Sequence, residues 1–339
     1  MIKELLEKVA SQEDLTLDEA SGVMHSIMDG VINNSHLAGL LLALRTKGET
    51  AVEVAGFAKA MKERCIKIAI PSSMTVELCG TGGDYSGTFN ISTAASFIAA
   101  GAGIPVAKHG NRSISSSSGS ADVLKELGID IMLSPSRAEK ALNEIGIAFL
   151  FAPVYHPSMK NAAPVRSELG LKTIFNLLGP LTNPAGTQRQ LIGTFSRKAS
   201  EIMCGAAEYL NMEKACFVNS ENRFDEISLY GNTHVSEFSK GAQKKEYTVN
   251  SGSFGYEDIN PLDIKGGTPS ENAEIILKIL RDKQESPAFK VAAANAAMAL
   301  YCAGAESTFE ECRLSAEESV LSGKAYEKLK LLSEFGEMP

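Results

Sequence analysis

The stretch VELCGTGGDYSGTFNIST, residues 76–93, passes from a β-prone run through a glycine cluster into an alanine-rich helical pattern that continues to Ala102. A strand, a loop and a helix in this order form the beginning of a βαβ unit. The alternation returns downstream, with β-prone runs at 105–108, 148–151, 190–194 and 215–218 and helical patterns at 121–127 and 199–210. This pattern predicts an α/β domain with a mostly parallel central sheet, which further helical patterns should cover at 270–282, 290–303, 308–322 and 325–335.

The first 65 residues have a different pattern, in which apolar side chains recur at helical spacing. Four such runs predict four amphipathic helices, and they begin at Ile2, Met24, Leu37 and Val54. Capping-box pairs and a helix-ending glycine support them, namely Thr16 with Glu19, Thr50 with Glu53, and Gly48. We therefore expect a small N-terminal helical domain, residues 1–70, hinged to a large α/β domain, residues 71–339. The proline-rich segment at about 160–190 is expected to return to the helical domain.

The composition restricts the classes of partner. A formal net charge of −8 argues against sequence-independent binding to nucleic acid, which relies on many Lys and Arg side chains. The longest uncharged run, residues 85–107, is rich in Ser, Thr, Asn and Gly, so no membrane span is expected. The six cysteines include no C-x-x-C pair and are expected to be reduced core residues. The first residues, 1–4, lack the layout of a signal peptide, which predicts a cytoplasmic protein.

The glycine cluster at residues 80–84 directly follows a predicted strand. Glycines let a backbone approach an anion closely and turn its N–H groups toward it. Tyr85 stands where a dinucleotide fingerprint requires its third glycine, and no Gly-Lys-Ser/Thr follows, so neither a nicotinamide nor a nucleoside triphosphate site is indicated. A plain turn between a strand and a helix has the same composition.

Two polar segments follow the glycine cluster. In the first, Ser92 or Thr93 is suited to cap the alanine-rich helix, and a helix N-terminus is also an anion site. The second, residues 108–122, contains two cations, one histidine and six serines at the mouth of a predicted strand and helix. This composition suits a multiply charged anion, although a mobile Ser/Gly linker is the alternative.

Two charged features complete the candidate chemistry. The adjacent acids Asp225 and Glu226 suit Mg²⁺, which prefers one or two carboxylates together with substrate oxygens and water, although adjacent acids in a loop also occur on solvated surfaces. Arg166, in the expected crossing between the domains, can clamp a carboxylate with its planar fork or form an interdomain salt bridge. His156 is close enough in the sequence to line the same cleft.

In their order and approximate spacing, these motifs resemble the anthranilate phosphoribosyltransferase family, and the likeness runs over nearly the whole chain. The segment NLLGPLTNP, residues 176–184, is the most specific motif, whereas the glycine loop is shared with pyrimidine nucleoside phosphorylases of the same fold. The resemblance implies transfer of the phosphoribosyl group of phosphoribosyl pyrophosphate (PRPP) to the amine of anthranilate, in tryptophan biosynthesis. It also implies a nucleoside phosphorylase/phosphoribosyltransferase-like fold, Mg²⁺ as cofactor and a homodimer formed through the helical part.

The same resemblance assigns site residues. Mg²⁺ is implied at Ser92, Asp225 and Glu226, and anthranilate at Gly80, Asn111 and Arg166. Lys108, together with the metal on the acidic pair, is expected to stabilise the leaving pyrophosphate, and His109 is expected to act on the acceptor side. The residues implied for PRPP are Gly80, Gly83, Asp84, Thr88, Asn90, Ile91, Ser92, Thr93, Lys108, His109, Gly110, Asn111, Arg112, Ser113, Ile114, Ser115, Ser116 and Ser120.

Three positions depart from the family pattern. Ser117 and Ser167 stand where basic residues are common, and Asn219-Ser220 stand where His-Gly is usual. Two other functions remain open at this point. A nucleoside phosphorylase of the same fold would favour a pocket that contacts a base, and an inert relative that binds nucleic acid would require a basic groove and no acidic pair.

Overall fold

The computed structural model describes residues 2–113 and 118–336. It begins with four helices, α1 (Ile2–Ala10), α2 (Leu17–Met28), α3 (Asn34–Lys47) and α4 (Ala51–Arg64). The capping boxes predicted at Thr16/Glu19 and Thr50/Glu53 are both formed. Gly48 ends α3 with a φ of 91°, a conformation that glycine adopts without steric cost. The helical pattern of this part of the sequence is therefore confirmed.

The central sheet has seven strands in the order β3-β2-β1-β4-β5-β6-β7. The strands are β1 (Val76–Gly80), β2 (Val106–Gly110), β3 (Ile147–Phe151), β4 (Arg189–Gly193), β5 (Lys214–Ser220), β6 (Thr233–Ser239) and β7 (Lys245–Val249). The five strands that the sequence predicts are mutually parallel, whereas β6 and β7 add an antiparallel edge that the sequence analysis did not predict. The mostly parallel α/β sheet is confirmed.

Helices cover the sheet and connect its strands. They are α5 (Ile91–Gly101), α6 (Ser120–Glu126), α7 (Pro135–Glu144), α8 (Ala152–Tyr155), α9 (Ala163–Leu169), α10 (Phe175–Leu178), α11 (Arg197–Ala207), α12 (Pro269–Leu280), α13 (Pro287–Ala303), α14 (Phe309–Leu321) and α15 (Lys324–Phe335). Helix α7 was not predicted. Residues 152–181, which include most of the proline-rich segment, form a series of short helices and 3₁₀ turns. Prolines occupy the first turn of several of these, where their missing N–H has no cost.

Two apolar clusters lie on opposite faces of the sheet. One joins the sheet to α5 and the C-terminal helices and includes the fully buried Phe97 and Phe254. The other contains side chains of α1 to α4, of the return segment 162–181 and of α11, together with Ile192 and Phe217 from the sheet. The helical bundle therefore packs, through α11, on one face of the sheet, and a cleft is left beside the strand ends.

All six cysteines are free thiols, and four of them are buried. No helix in the described ranges has both the length and the apolar character needed to cross a bilayer.

Candidate active site

A cleft of about 910 Å³ lies at the carboxyl ends of β1, β2 and β4. In open parallel sheets this edge is where ligands bind, at the point where the strand order reverses. Residues from four distant parts of the sequence line it, among them Gly82, Ser92, Lys108 and Glu226. The scattered motifs of the sequence are therefore brought to one place.

Three carboxylates meet on one side of the cleft. Asp84, Asp225 and Glu226 each place an oxygen within 4.8 Å of the other two. Glu226 is only 8% exposed, and its Oε1 has no hydrogen-bond partner among the described residues. Burial and the neighbouring Asp225 raise the pKa of Glu226 well above its usual range, and the same two causes raise the pKa of Asp84. Mutually repelling oxygens with one left unpaired suit a divalent cation, so the site fits Mg²⁺.

Two glycines make room for Asp225. A Cβ atom on Gly80, at the end of β1, would overlap the Asp225 carboxylate, and one on Gly193, at the end of β4, would overlap its backbone carbonyl. The N–H of Gly82 donates to Asp225 Oδ2 at 2.9 Å, and the N–H of Asp225 donates to Asp84 Oδ2 at 3.3 Å. The glycine loop therefore positions the acidic cluster as well as offering N–H groups to an anion.

The turn before the acidic pair is held by polar side chains. Asn219 Nδ2 donates to the carbonyl of Thr194 at 2.6 Å, and the Ser220 hydroxyl donates to the carbonyl of Glu226 at 2.5 Å. Asn295 of α13 binds both the N–H and the carbonyl of Ile227, at 3.1 and 2.8 Å. Asn219 and Ser220, which depart from the family pattern, thus form the bonds that position Glu226.

Lys108 lies where the sheet is split. Strands β1 and β2 pair at Val76 and Val106 alone, whereas each of the other parallel pairs is in register over five residues. Beyond that pair, the Lys108 ammonium donates to the carbonyl of Leu78 at 2.8 Å and to Ser92 Oγ at 3.2 Å. Burial lowers the pKa of Lys108 to about 8, so the side chain is still mainly charged at neutral pH. A buried cation therefore faces the cleft from its floor.

The side chain of Glu77 also lies where β1 and β2 separate. Its carboxylate accepts the N–H of His109 at 3.3 Å and the Nε2 amide of Gln190 at 2.6 Å. Burial raises the pKa of Glu77 to about 7, against the opposing effects of Asn183 and Lys108. The sequence analysis missed this residue, although an acid inside an apolar strand was the signal that could have identified it.

A second group of residues that line the cleft is suited to an aromatic acid. The guanidinium of Arg166 lies 4.9 Å from the centre of the Phe175 ring, and no hydrogen bond or ion pair to it is found within the described ranges. The rings of His109 and His156 are 5.2 Å apart, and burial lowers their pKa values to about 3 and about 4. His109 Nε2 is buried without a partner among described residues. These residues therefore combine a guanidinium that has no ion pair among the described residues with two neutral histidines.

The serine-rich loop is fastened at both ends. The Asp122 carboxylate accepts the N–H groups of Ser113 and Gly119, each at 3.0 Å. Asn90 exchanges hydrogen bonds with Ser118, at 3.2 and 3.1 Å, so its amide binds protein atoms. Ile114, Ser115, Ser116 and Ser117 lie outside the described residues.

Nearly all of the described residues predicted for the site line the cleft, including Gly80, Gly83, Asp84, Thr88, Asn90, Ile91, Ser92, Lys108, His109, Gly110, Asn111, Arg112, Ser113, Ser120, Arg166, Asp225 and Glu226. Thr93 does not, because it lies on the buried side of α5 and is fully buried. The expectation that Ser92 or Thr93 caps α5 is wrong, since the N-cap is Asn90. The individual ligand assignments stay predictions, and Asp84 was not among the predicted metal ligands.

Comparison with known proteins agrees with this architecture. Residues 3–65 match the helical bundle domain of the glycosyl transferase family, and residues 72–326 match its a/b domain. Anthranilate phosphoribosyltransferases of Desulfosudis oleivorans and Petrotoga mobilis are 44% and 45% identical to the chain, over 99% of it and over 98% and 97% of their own lengths.

Solved structures give the same result. The crystal structure of the anthranilate phosphoribosyltransferase of Thermus thermophilus superimposes with a TM-score of 0.93 at 38% identity, covering 98% of this chain and 99% of that one. The Saccharomyces cerevisiae enzyme in complex with PRPP and Mg has a TM-score of 0.90 at 26% identity, covering 99% of this chain and 98% of that one.

A helical bundle attached to a parallel α/β sheet, with an acidic glycine-lined cleft at the strand ends, defines a glycosyl transferase of the class that includes phosphoribosyltransferases. Within that class, the chain belongs to the anthranilate phosphoribosyltransferase family.

Proposed function

We propose that this chain transfers the phosphoribosyl group of PRPP to the amine of anthranilate, forming N-(5-phosphoribosyl)anthranilate and releasing pyrophosphate. The observation that carries the proposal is that one cleft is lined by two chemically different groups of residues. The acidic cluster and Lys108 suit a metal-bound diphosphate, whereas Arg166 and the neutral histidines suit an aromatic carboxylate. An anomeric carbon between the two ends can be reached by an amine from one side while the leaving group departs on the other.

At the diphosphate end, Asp84, Asp225 and Glu226 would hold Mg²⁺, and Ser92, which lines the same cleft, is the further ligand that the family resemblance implies. Bound there, the ion supplies positive charge to the departing pyrophosphate. Lys108 adds a second charge from the floor of the cleft, and the N–H groups of the glycine loop are preorganised for the same developing anion. Groups that are already in place lower the barrier most, since they need no rearrangement during the reaction.

At the acceptor end, Arg166 would bind the anthranilate carboxylate through its planar fork, and Asn111 lines the same cleft. His109 Nε2 is buried and has no hydrogen-bond partner among the described residues, and the backbone at Gly179 acts against the lowering of the His109 pKa by burial. This neutral nitrogen can accept a hydrogen bond from the attacking amine. A base with so low a pKa orients the amine, and positioning therefore supplies much of the acceleration.

Three further predictions accompany this proposal, and they concern the oligomeric state, the cellular compartment and the division into domains. The exposed Val31 and Leu42 of the helical bundle support a homodimer formed through that part, for which light scattering after size exclusion is the test. Six free thiols support a cytoplasmic protein, since reducing compartments keep cysteines unpaired. The two apolar clusters support a division near residue 70 with a return segment at about 160–190.

The test of the proposed function is a direct assay. The purified chain is mixed with anthranilate, PRPP and Mg²⁺, and the fluorescence of anthranilate should decay. Chelation of the metal should stop the decay. A parallel reaction with a pyrimidine nucleoside and inorganic phosphate examines the phosphorylase alternative. A folded protein that leaves anthranilate unchanged would disprove the proposal, and phosphorolysis of the nucleoside would favour the alternative.

A further inference from the structure

Lys172 crosses from the return segment to the glycine loop. It lies between α9 and α10, and its backbone carbonyl accepts Nη1 of Arg45 at 2.9 Å. Its side chain runs over Gly83, where the Cε atom is 3.1 Å from the position that a Cβ atom would take. Gly83 therefore allows a lysine on the helical side of the molecule to approach the backbone of the loop.

The ammonium of Lys172 is held by aromatic rings. Its Nζ atom lies 4.3 Å from the centre of the Phe195 ring and 5.3 Å from that of Tyr85. No carboxylate oxygen of the described residues lies within 4.0 Å of it, so the charge is not used in an ion pair. Burial lowers the pKa of Lys172, and the negative charges of Asp84 and Asp225 oppose that effect. An unpaired cation thus lies over Gly83, the residue that precedes Asp84 in the chain, with its Nζ atom 3.8 Å from the position that a Cβ atom on Gly83 would take.

Tyr85 supports this arrangement at a conformational cost. Its φ is 58°, a left-handed conformation that is unfavourable for an aromatic residue, and its side chain is 77% exposed. Such conformations persist where surrounding contacts hold them, and they cluster at functional sites. The contact with Lys172 is one that holds Tyr85, because a cation over an aromatic ring is attracted to its face.

We propose that Lys172 binds the diphosphate of PRPP, as a cation supplied to the glycine loop by the return segment and positioned by Phe195 and Tyr85. The inference rests on the proposed function. A metal held by Asp84 and Asp225 would keep substrate oxygens as ligands, and a lysine over Gly83, next to Asp84 in the chain, can donate to the diphosphate oxygens that remain. Lys172 binds as a point charge, which is how lysine recognises phosphate groups.

The experiment measures equilibrium binding of PRPP by titration calorimetry, with Mg²⁺ present and anthranilate absent. Lys172→Met keeps most of the stem that packs on Gly83 and removes the charge, whereas Lys172→Arg keeps the charge. Lys172→Met should weaken PRPP binding by about tenfold or more, as expected for the loss of a charged hydrogen bond. Lys172→Arg should recover most of the affinity.

Controls separate binding from folding. Lys330→Met, on the exposed surface of α15, should bind PRPP like the wild type, and all variants should melt at closely similar temperatures. The KM for anthranilate at saturating PRPP should not change in Lys172→Met. If Lys172→Met binds PRPP within about twofold of the wild type, or if Lys172→Arg is as weak as Lys172→Met, the inference is overturned. Failure of the wild type itself to bind PRPP would instead remove the proposed function.

Discussion

Replacing Glu77 by glutamine removes a buried charge from the split between β1 and β2 while leaving the size of the side chain almost unchanged. The pKa of Glu77 is raised from the ordinary 4.5 to about 7, chiefly by burial. At about 1.4 kcal/mol for each unit of pKa shift, this rise corresponds to a free energy of about 3 kcal/mol. A carboxyl group whose pKa is higher in the folded state stabilises the fold fully below pH 4.5 and loses that contribution as the pH rises through about 7. Glutamine does not titrate.

The difference in stability between the wild type and Glu77→Gln also has a part that does not change with pH, and this part comes from hydrogen bonds. Gln190 donates its Nε2 to Glu77 at 2.6 Å, so a glutamine at position 77 would place two N–H groups face to face. The Oε1 atom of Gln190 has no partner in the described part of the structure, and rotating its amide turns this acceptor toward the new donor. The rotation breaks the bonds from Gln190 to Pro180 and Thr187, at a cost of about 1 kcal/mol each.

The assay is the melting temperature from about pH 4.5 to about pH 8 in a metal chelator, for the wild type, Glu77→Gln and the exposed control Glu126→Gln. Across this range the wild type should lose about 6 °C relative to Glu77→Gln, given roughly 2 °C per kcal/mol for a large chain. Asp84 and Glu226 titrate in all three proteins, so their effects cancel in the comparison. Parallel curves for the wild type and Glu77→Gln would refute the reasoning.

Three further substitutions examine the two ends of the cleft. Glu226→Gln should raise the melting temperature without metal, because it relieves repulsion among three carboxylates, and should raise the Mg²⁺ requirement by about tenfold or more in activity titrations. Lys108→Met should lower kcat by about 100-fold with a smaller change in the KM for PRPP, as for loss of one preorganised charge. Arg166→Ala should raise the KM for anthranilate by about tenfold or more and leave PRPP binding unchanged, with Arg166→Lys only partly restoring it.

Each of these has a result that contradicts it. An unchanged metal requirement in Glu226→Gln would place the ion elsewhere. A raised KM for PRPP with an unchanged kcat in Lys108→Met would make the lysine a ground-state ligand. A larger effect of Arg166→Ala on PRPP than on anthranilate would reverse the two ends of the cleft.

Secondary structure was predictable where its signal was local and strong. The capping boxes of α2 and α4, and the five apolar parallel strands, are written in short-range patterns that hold whatever the tertiary context. Strands β6 and β7 escaped because their residues are largely polar and charged, as suits an antiparallel edge. The short helices α8 and α9 carry a proline in their first turn. Proline is also common in loops, so these helices could not be predicted from the sequence.

The motifs that form the site could be predicted from the sequence, but the contacts between them could not. The glycine cluster, the serine-rich segment and the acidic pair were recognised from composition and from the family resemblance. Asp84 was assigned to PRPP alone, because nothing in its position shows that it meets Asp225 across 141 residues. Glu77 and Asn295 were missed for the same reason, since their roles depend on neighbours that are distant in sequence.

The kinds of element, their order and the chemical groups available to the site can all be predicted from the order of residues along the chain. Helix and strand periods, caps and glycine turns act over a few residues, so local interactions suffice to specify them. Three features arise from the packing of the folded chain. The sheet separates between β1 and β2, Arg166 makes no ion pair among the described residues, and Lys172 reaches the glycine loop. Those features depend on which distant side chains share one desolvated space, where charge and burial are set by packing and not by sequence spacing.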